Sequence, residues 1–338
     1  MADMKAWQLA TPGEVQDTLK LTTVARPAPA LKPSEIQVRV ISAAINPADH
    51  KVPAMGFGAR AILPFPKTVG MDLSGEVVSA GSAVTDVLVG DRVMARLSPL
   101  RRPGSLSEYV TVPRDGYARL SRTVDPDVAA AVGTAGLTAY QSIKPYVRPG
   151  DKVFINGGSG GVGTFGIQIA KLLGCHVTVS CSAAKAALCR SLGADDVIDY
   201  TGADVVAELV ARGRVFSLIA DNVGCDPPGL YARAAGRVLL PGGVFVIVAA
   251  GRHIGHAASA LATLLRPSFL GGGTNKVVLY MASNNREDWA ALAQWVNEGK
   301  LTAVVDKTFA FDHAREAFEH LQTGSARGKV VLHVSSKD

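Results

Sequence analysis

Residues 152–163 read KVFINGGSGGVG, and TFGIQIAKLLG (164–174) follows with the apolar periodicity of a helix. A short apolar run, then glycines, then a helix predicts a strand–turn–helix unit that holds a dinucleotide. Gly158, Gly160 and Gly163 have the G-x-G-x-x-G spacing, which allows a tight turn, close approach of backbone N–H groups to a pyrophosphate, and close packing of helix on strand. The pyrophosphate is expected at the positive end of the helix that starts near Val162, with Ser159 and Gly161 completing the turn.

The next predicted strand, in CHVTVSCSAAK (175–185), indicates which dinucleotide is bound. An NAD-binding protein places Asp or Glu on the ribose 2′-OH about 20 residues past the glycines. Here Cys181 and Ser182 hold that place, with Lys185 just beyond. A carboxylate would repel a 2′-phosphate, whereas a hydroxyl and an ammonium bind it. We therefore expect NADP(H); the alternative is that Lys185 is a solvated cation at a helix start.

Other motifs compete for the same segment. Residues 157–161 also match the G-x-S-x-G elbow of hydrolases, with acid and base candidates downstream at Asp306, His313 and His333. That elbow does not require the last glycine and does not explain the residues after the second strand, so we favour the dinucleotide. A P-loop is disfavoured because no Lys-Ser/Thr follows the glycines. Tyr140 and Lys144 have the Y-x-x-x-K spacing of short-chain reductases but precede the turn, which favours a helix-surface pair.

Composition narrows the class of protein. The chain has 338 residues, enough for two domains, with 48% hydrophobic and 19% charged residues. The net charge of +6 is spread along the chain and Arg101-Arg102 is the one notable basic doublet, so no nucleic-acid partner is expected. The N-terminus lacks a secretory apolar region, and the longest apolar run (238–250) is interrupted by Pro-Gly-Gly and too short to cross a membrane.

The four cysteines, at 175, 181, 189 and 225, have no C-x-x-C spacing. Structural zinc is therefore not expected, and a reduced, cytoplasmic setting is the simplest inference.

The organisation of the chain changes near residue 125. The first 120 residues carry period-two alternation, as in EIQVRV (35–40), with frequent Gly and Pro turns, which predicts a small barrel or sandwich. Beyond 125, strands and helices alternate, which predicts an α/β doubly wound parallel sheet. Strands are expected at 153–156, 176–180, 197–198, 217–221, 244–248, 277–281 and 329–334. Helices are expected at 128–139, 162–173, 184–192, 203–212, 228–235, 289–299 and 313–323.

Seven segments in order resemble the medium-chain dehydrogenase/reductase superfamily, and the resemblance covers nearly the whole chain. They are NPADHK (46–51), VGMDLSGEVVSAGSAVTDVLVGDRV (69–93), GSLSEYVTV (104–112), AGLTAYQSI (135–143), GGSGGVGTFGIQIAK (157–171), LGADDVIDY (192–200) and ARGKVVLHV (326–334). The chain looks like the zinc-independent quinone oxidoreductase and enone (alkenal) reductase branch, with similarity to fungal trans-acting enoyl reductases. The resemblance implies a β-rich GroES-like catalytic domain (1–124), a Rossmann NADP(H)-binding domain (125–283) and a C-terminal segment (284–338) that returns to the catalytic domain.

Departures from the alcohol dehydrogenase branch point to a metal-free site. That branch holds catalytic zinc with a Cys where this chain has Asn46, and with a Gly-His-Glu where this chain has Gly70-Met71-Asp72. Asn and Met are poor zinc ligands, and a catalytic site needs three good ones. Without a Lewis acid, hydride transfer is favoured only to acceptors that give delocalised anions, namely activated alkenes and quinones.

The resemblance also implies roles for individual residues. Asn46, Asp49, Lys51 and Thr134 are candidates for catalysis; the alternatives are a loop-shaping Asn46, a turn-capping Asp49 and a Thr134 that only packs a helix. Lys51 follows the NPxD segment and could polarise the substrate oxygen or deliver a proton. Further cofactor candidates, beyond the glycine turn and Cys181, Ser182 and Lys185, are Thr138, Tyr200, Asn222, Val248, Ala249, Gly251 and Lys329. Lys329 could equally be a solvated strand residue, and Thr138 a packing residue.

The leading hypothesis is an NADPH-dependent, zinc-independent reductase of an enone, enoyl or quinone substrate. A trans-acting enoyl reductase of a polyketide pathway is the alternative within enzymes, and an NADPH-binding structural or interaction protein without turnover is the alternative outside them. Relatives dimerise through the strand that corresponds to 277–281, so a monomer or a homodimer is expected.

Overall fold

A computed structural model describes residues 2–28, 30–224, 230–248 and 275–335. The chain forms two compact units: Met1–Leu137 together with Ser283–Asp338, and Thr138–Ala282. The predicted boundary at residue 124 lies just before the helix Pro126–Ile143, and the division of the structure at residue 137 lies inside that helix. Ala249 and Gly251 fall outside the described residues.

The strands are numbered in chain order over the described residues. They are β1 (Asp3–Leu9), β2 (Leu19–Ala25), β3 (Glu35–Ile45), β4 (Lys67–Thr68), β5 (Asp72–Ala80), β6 (Arg92–Arg96), β7 (Tyr109–Pro113), β8 (Tyr117–Leu120), β9 (Lys152–Asn156), β10 (His176–Cys181), β11 (Asp196–Asp199), β12 (Phe216–Asp221), β13 (Leu239–Ile247), β14 (Lys276–Leu279), β15 (Val305–Ala310) and β16 (Lys329–His333).

The α-helices in the same ranges are α1 (Val15–Thr18), α2 (Pro47–Lys51), α3 (Pro126–Ile143), α4 (Gly161–Leu172), α5 (Ala186–Ser191), α6 (Val205–Ala211), α7 (Gly236–Val238), α8 (Arg286–Asn297) and α9 (Ala314–Gln322). Short 3-10 segments cover Pro53–Ala61, Lys144–Tyr146, Ala183–Lys185 and Phe311–His313, and a π-helical turn covers Leu230–Ala235.

The first unit is β-rich, as its alternating sequence predicts. One sheet has the order β15-β16-β3-β5-β6-β8, with β7 also paired to β3, and a second has the order β2-β1-β4. Strand β16 is antiparallel to β3, with Val330 opposite Ile45, and β5 is antiparallel to β3, with Asp72 opposite Ala44. The end of β3 therefore lies beside the starts of both β5 and β16, which brings three chain-distant segments to one place.

The second unit is a parallel sheet with the order β11-β10-β9-β12-β13-β14. Numbered within the unit, this is the 3-2-1-4-5-6 order of a Rossmann fold. Alternate residues of β9 enter different core clusters, with Phe154 in one and Val153 and Ile155 in the other. Both faces of the sheet are thus buried, as expected for a doubly wound α/β fold. The order of the strands reverses between β9 and β12, and ligands bind outside the carboxyl ends of strands at such a point.

Two expected elements differ from the structure. Strand β13 begins at Leu239 rather than 244, because Pro241-Gly242-Gly243 bulges out instead of ending the strand. The register moves from Phe216↔Leu239 to Leu218↔Val244, so the four residues 240–243 of β13 stand opposite the single residue Ser217 of β12. The expected helix at 228–235 is, in its described part, a π-helical turn.

Candidate functional site

The glycine turn lies where β9 meets α4. Gly157 has a positive φ of 78°, so this residue, and not Gly158 as the spacing predicts, makes the left-handed turn. A Cβ on Gly158 would lie 2.7 Å from the Val179 Cβ, and a Cβ on Gly163 would lie 2.1 Å from the Gly157 carbonyl oxygen. These two glycines are required for close packing of the turn and the helix.

Gly160 and the start of α4 fit an anionic ligand. A Cβ on Gly160 would have one neighbour within 4 Å, the Gly157 oxygen at 3.5 Å, so this glycine is not needed for packing. Gly160 is the N-cap residue of α4, and it has no side chain to accept hydrogen bonds from the first N–H groups of the helix. The first turn contains no acidic residue. Free N–H groups and the helix dipole favour a pyrophosphate here, where Ser159, Gly161 and Val162 also lie.

A buried polar chain stiffens the carboxyl ends of the three central strands. The Ser180 hydroxyl donates to Asn156 Oδ1 (2.5 Å), and Asn156 Nδ2 donates to Asp221 Oδ1 (2.9 Å). The backbone N–H of Gly157 donates to Ser180 Oγ (3.0 Å), which ties the glycine turn to this chain. The sequence interpretation missed these three side chains, although each is a polar residue at the end of an apolar strand.

Asn222 follows β12 at this edge. Its N–H donates to the Asn156 carbonyl (3.2 Å), while its Oδ1 is buried without a hydrogen-bond partner. Buried polar atoms are nearly always paired, so this acceptor suits a donor from a ligand. Val248 lies beside it, with its N–H donating to the Asp221 carbonyl (2.9 Å). Together with the open face of Gly160, the orphaned oxygen shows that the residues present fit a dinucleotide.

The turn after β10 contains the residues that are predicted to bind the 2′-phosphate of the cofactor. Lys185 N–H donates to the Ser182 carbonyl (2.9 Å), so both side chains belong to one turn. The Cys181 side chain is 1% exposed and lies in the core. Its thiol pKa is lowered, first by a hydrogen bond from Cys189 and also by the charges of Arg190 and Lys185, against burial and Asp199. Because the Cys181 side chain lies in the core, a contact with a cofactor would be made by its backbone, and this role stays a prediction.

Three remaining cofactor candidates are placed as follows. Tyr200 follows β11 and is 57% exposed, with its N–H on the Cys181 carbonyl (3.1 Å). Thr138 is buried in α3. Lys329 belongs to the first unit and is 3% exposed, so the interpretation as a solvated strand residue is wrong. Its role toward a cofactor stays a prediction.

In the first unit, Asn46 lies in a buried polar cluster at the junction of β3, β5 and β16. Its Nδ2 donates to Asp72 Oδ2 (2.8 Å), and its Oδ1 accepts from Lys329 Nζ (2.5 Å). Lys329 Nζ also lies 3.3 Å from Asp72 Oδ2 and 3.3 Å from the Ile45 carbonyl. The side chains of Lys329 and Asp72 are 4% and 0% exposed, so this is a fully buried ion pair.

Helix α3 supplies the remaining partners of Asp72. Asp72 Oδ1 accepts from both the N–H (2.7 Å) and the hydroxyl (2.6 Å) of Thr134. A Cβ on Gly133 would lie 2.4 Å from that oxygen, so the glycine lets the helix approach the carboxylate. Arg96 Nε donates to Thr134 Oγ1 (3.1 Å), and Arg96 also bonds Asn284. The predicted Asn46 and Thr134 thus share one carboxylate that the sequence interpretation did not single out.

Asp49 adds a titratable group beside Asn46. Its Oδ2 accepts from the Asn46 backbone N–H (2.8 Å) at the start of α2. Burial, and secondarily the charge of Asp72, raises the pKa of Asp49 from 3.8 to about 7, against hydrogen bonding from Asn46 and the charges of Lys329 and Lys67. Burial likewise lowers the pKa of Lys67 to about 8. A carboxyl with this pKa is partly protonated at neutral pH and can donate or accept a proton.

Lys51 is exposed at the last residue of α2, two residues after Asp49. Burial, and then the charge of Lys51, lowers the pKa of the neighbouring His50 to about 4, so His50 is neutral at physiological pH. The predicted contact of Lys51 with a substrate stays a prediction.

The hydrolase alternative is wrong, because its acid and base candidates pair with other residues instead of with each other. Asp306 pairs with His320 (2.6 Å), His313 with Glu316 (3.0 Å) and His333 with Asp127 (2.8 Å). Asp306 therefore contacts neither candidate base. A nucleophilic serine needs a base that an acid orients, and these residues do not form that pair.

Within the described ranges, no group of three or more His, Cys, Asp or Glu residues could hold a metal ion. None of the helices in those ranges is both long enough and apolar enough to span a lipid bilayer.

Comparison with known proteins agrees with this architecture. Residues 32–122 match the family model of the alcohol dehydrogenase GroES-like domain, and residues 192–332 match that of the zinc-binding dehydrogenase. The chain is 41% identical to the trans-enoyl reductase pgmF of Aspergillus terreus, over 98% of this chain and 96% of that protein. It is 33% identical to the human mitochondrial NAD(P)H oxidoreductase RTN4IP1, over 89% of this chain and 82% of that protein.

A solved structure of a related protein has the same fold. The quinone oxidoreductase of Coxiella burnetii superposes with a TM-score of 0.82 at 31% identity, over 99% of this chain and all of that one. With the strand order, the glycine turn and the near full-length relatives in agreement, the chain belongs to the medium-chain dehydrogenase/reductase superfamily, in its quinone oxidoreductase and enoyl reductase-like branch.

Proposed function

We propose that this protein is an NADPH-dependent reductase that transfers hydride to an activated C=C, as in an α,β-unsaturated carbonyl, or to a quinone, and that it works without zinc. The observation that carries the proposal is the buried Lys329 ammonium, bonded to both Asn46 and Asp72. By the family resemblance described above, the zinc-dependent branch has zinc ligands where this chain has Asn46 and Met71.

The donor set supports metal independence. A divalent cation bound by Asn46 Oδ1 or Asp72 Oδ2 would face the ammonium of Lys329, which already bonds Asn46 Oδ1 at 2.5 Å. Met71 is 3% exposed and has no hard oxygen or nitrogen to offer. The matched zinc-binding dehydrogenase model covers residues 192–332, a range that contains neither Asn46 nor Met71.

The first unit offers a hydrogen-bond donor and an acid to a polar substrate. The Asn46 carboxamide can donate to a carbonyl oxygen that gains negative charge, and one such donor lowers a barrier by about 2–4 kcal/mol. That stabilisation suits an enolate or a hydroquinone anion, whose charge is delocalised, better than a localised alkoxide. Asp49, with a pKa near 7, can deliver the proton that completes reduction.

The second unit is the dinucleotide-binding part. Family membership makes the enzyme nicotinamide-dependent, and we infer NADPH rather than NADH from Ser182 and Lys185 and from the lack of an acidic residue within the segment 181–185. The glycine turn would hold the pyrophosphate, and Asn222 would accept a hydrogen bond from the ligand. When bound, the reduced nicotinamide supplies the hydride.

The test uses the full chain with NADPH or NADH and three probes: cyclohexenone, menadione and the N-acetylcysteamine thioester of crotonate. We expect NADPH oxidation with at least one probe, unchanged after dialysis against a chelator. Cofactor binding without turnover of any probe would support a binding or interaction protein instead.

A second candidate function is a trans-acting enoyl reductase of a polyketide pathway. The 41% identity to the trans-enoyl reductase pgmF over nearly the full chain favours it. Turnover of the thioester, with little turnover of cyclohexenone or menadione, is the expected result under this function.

The three described cysteines, all buried free thiols, fit the cytoplasmic setting that we propose.

A further inference from the structure

We propose that the buried Asp72–Lys329 pair is a positioning device: it fixes the orientation of the Asn46 carboxamide and leaves one N–H of that amide for the substrate oxygen. This inference rests on the proposed function for the identity of the acceptor. The orientation of Asn46 itself follows from the contacts in the first unit alone.

The ammonium and the carboxylate are both fully used. Lys329 Nζ has three N–H bonds and three acceptors: Asn46 Oδ1, Asp72 Oδ2 and the Ile45 carbonyl. Asp72 accepts from Asn46 and Lys329 at Oδ2 and twice from Thr134 at Oδ1. Each N–H bond of the Lys329 ammonium has an acceptor, and each oxygen of the Asp72 carboxylate has two donors. Neither group therefore has hydrogen-bonding capacity left for a substrate.

The Asp72–Lys329 pair sets the orientation of the Asn46 carboxamide. An ammonium can only donate and a carboxylate here only accepts, so Asn46 Oδ1 must face Lys329 and its Nδ2 must face Asp72. Turning the amide over would set its NH2 against the ammonium and its oxygen against the carboxylate. The Nδ2 group has two N–H bonds, and Asp72 takes one of them.

Elements that are far apart in the sequence converge on this arrangement. Asn46 follows β3, Asp72 begins β5, Lys329 begins β16 and Thr134 lies in α3. A buried pair of this kind could also serve stability alone, because it joins all four elements. The test must therefore separate positioning from stability.

The direct test observes the amide in the protein without cofactor. In isotope-labelled protein, the Asn46 side-chain resonances are assigned by their loss in Asn46→Ser, which retains a helix N-cap residue. We expect one N–H shifted downfield and protected from solvent exchange by Asp72, and the other unprotected. In Lys329→Met the shift and the protection are expected to disappear. Unchanged shift and protection in Lys329→Met would overturn the proposal.

The kinetic test uses a double-mutant cycle. Lys329→Met is expected to lower kcat by about 10–100-fold. In the Asn46→Ser background the same substitution is expected to have no further effect, because it acts through Asn46. Multiplicative losses in the cycle would show that Lys329 acts independently of Asn46, and would overturn the proposal.

Two further variants keep the test decisive. Should Lys329→Met fail to fold, Asp72→Leu/Lys329→Met replaces both charges with apolar groups, and its amide resonances and kcat are read in the same way. The matched control is Arg39→Met/Glu76→Gln, which removes an ion pair that joins β3 to β5 in the same sheet. The control is expected to keep the wild-type kcat and the wild-type Asn46 resonances.

The two proposals fail in different ways. A wild-type protein that reduces none of the probes refutes the proposed function, while the resonances still decide whether Asp72 and Lys329 orient Asn46. A wild-type protein that is active and whose Asn46→Ser variant keeps full kcat refutes donation by Asn46 and with it the positioning role.

Discussion

Replacement of Asp49 by Asn tests the electrostatics of the candidate site. Burial raises the pKa of Asp49 from 3.8 to about 7, so ionisation is harder in the folded chain than in the unfolded chain. Such a group contributes stability that is fully present below the unfolded pKa and is lost as pH rises through the folded pKa. The difference between a pKa of 3.8 and one of about 7, at about 1.4 kcal/mol per pKa unit, gives a loss of up to about 4 kcal/mol.

Asp49→Asn cannot ionise and retains an oxygen for the Asn46 backbone N–H. The unfolding free energy of the variant, relative to wild type, is therefore expected to rise between about pH 4 and pH 7, and to level off above that range. The assay is equilibrium urea unfolding of both proteins, without cofactor, at intervals of pH. A difference that is flat across this range, or that falls as pH rises, would refute the reasoning.

Asp195→Asn is the matched control. Burial alone would raise the pKa of Asp195, but hydrogen bonds from the Val177 N–H and Lys171 lower it below its usual value. Its stabilising contribution is present above its unfolded pKa and is lost only as pH falls further. The difference between this variant and wild type is expected to stay constant over the range in which the Asp49 difference rises.

Three other predictions concern the cofactor and the proton. Lys185→Glu is expected to weaken NADPH binding, measured by titration, far more than NADH binding; equal weakening would show that Lys185 does not contact the 2′-phosphate. Gly163→Ala, whose Cβ would lie 2.1 Å from the Gly157 oxygen, is expected to lower unfolding free energy by about 1–3 kcal/mol, whereas Gly160→Ala is expected to leave unfolding unchanged and weaken cofactor binding. If Asp49 donates the proton, kcat falls above about pH 7 in the wild type, and Asp49→Asn loses this dependence; an unchanged pH profile in the variant would exclude that role.

Local chemistry made the dinucleotide unit predictable from the sequence. The glycine turn and the alternation of strands and helices depend on neighbouring residues, and the structure has the expected parallel sheet. The sequence could not show which glycine takes the positive φ, because Gly157, Gly158 and Gly160 are all permissive. It also could not show that Cys181 points into the core, since that depends on its contact with Cys189.

The sequence predicted the residues of the first unit's polar cluster better than their contacts. Asn46, Thr134 and Lys329 were singled out by the family resemblance, whereas Asp72 was not, and Asp72 and Lys329, 257 residues apart, meet through strand register. A carboxylate at the start of an apolar strand, as in VGMDLSG (69–75), is the signal that could have identified Asp72. The partner of that carboxylate could not be read from local patterns, because Lys329 follows a loop with no comparable signal.

The measurement that tests the central claim most directly is turnover of an activated alkene or quinone with NADPH by protein freed of metal, with metal content determined on the same sample. The account predicts full turnover without stoichiometric metal, because the Lys329 ammonium already provides the positive charge beside Asn46 and Asp72. Loss of turnover that returns only when zinc is restored in a one-to-one ratio would contradict it.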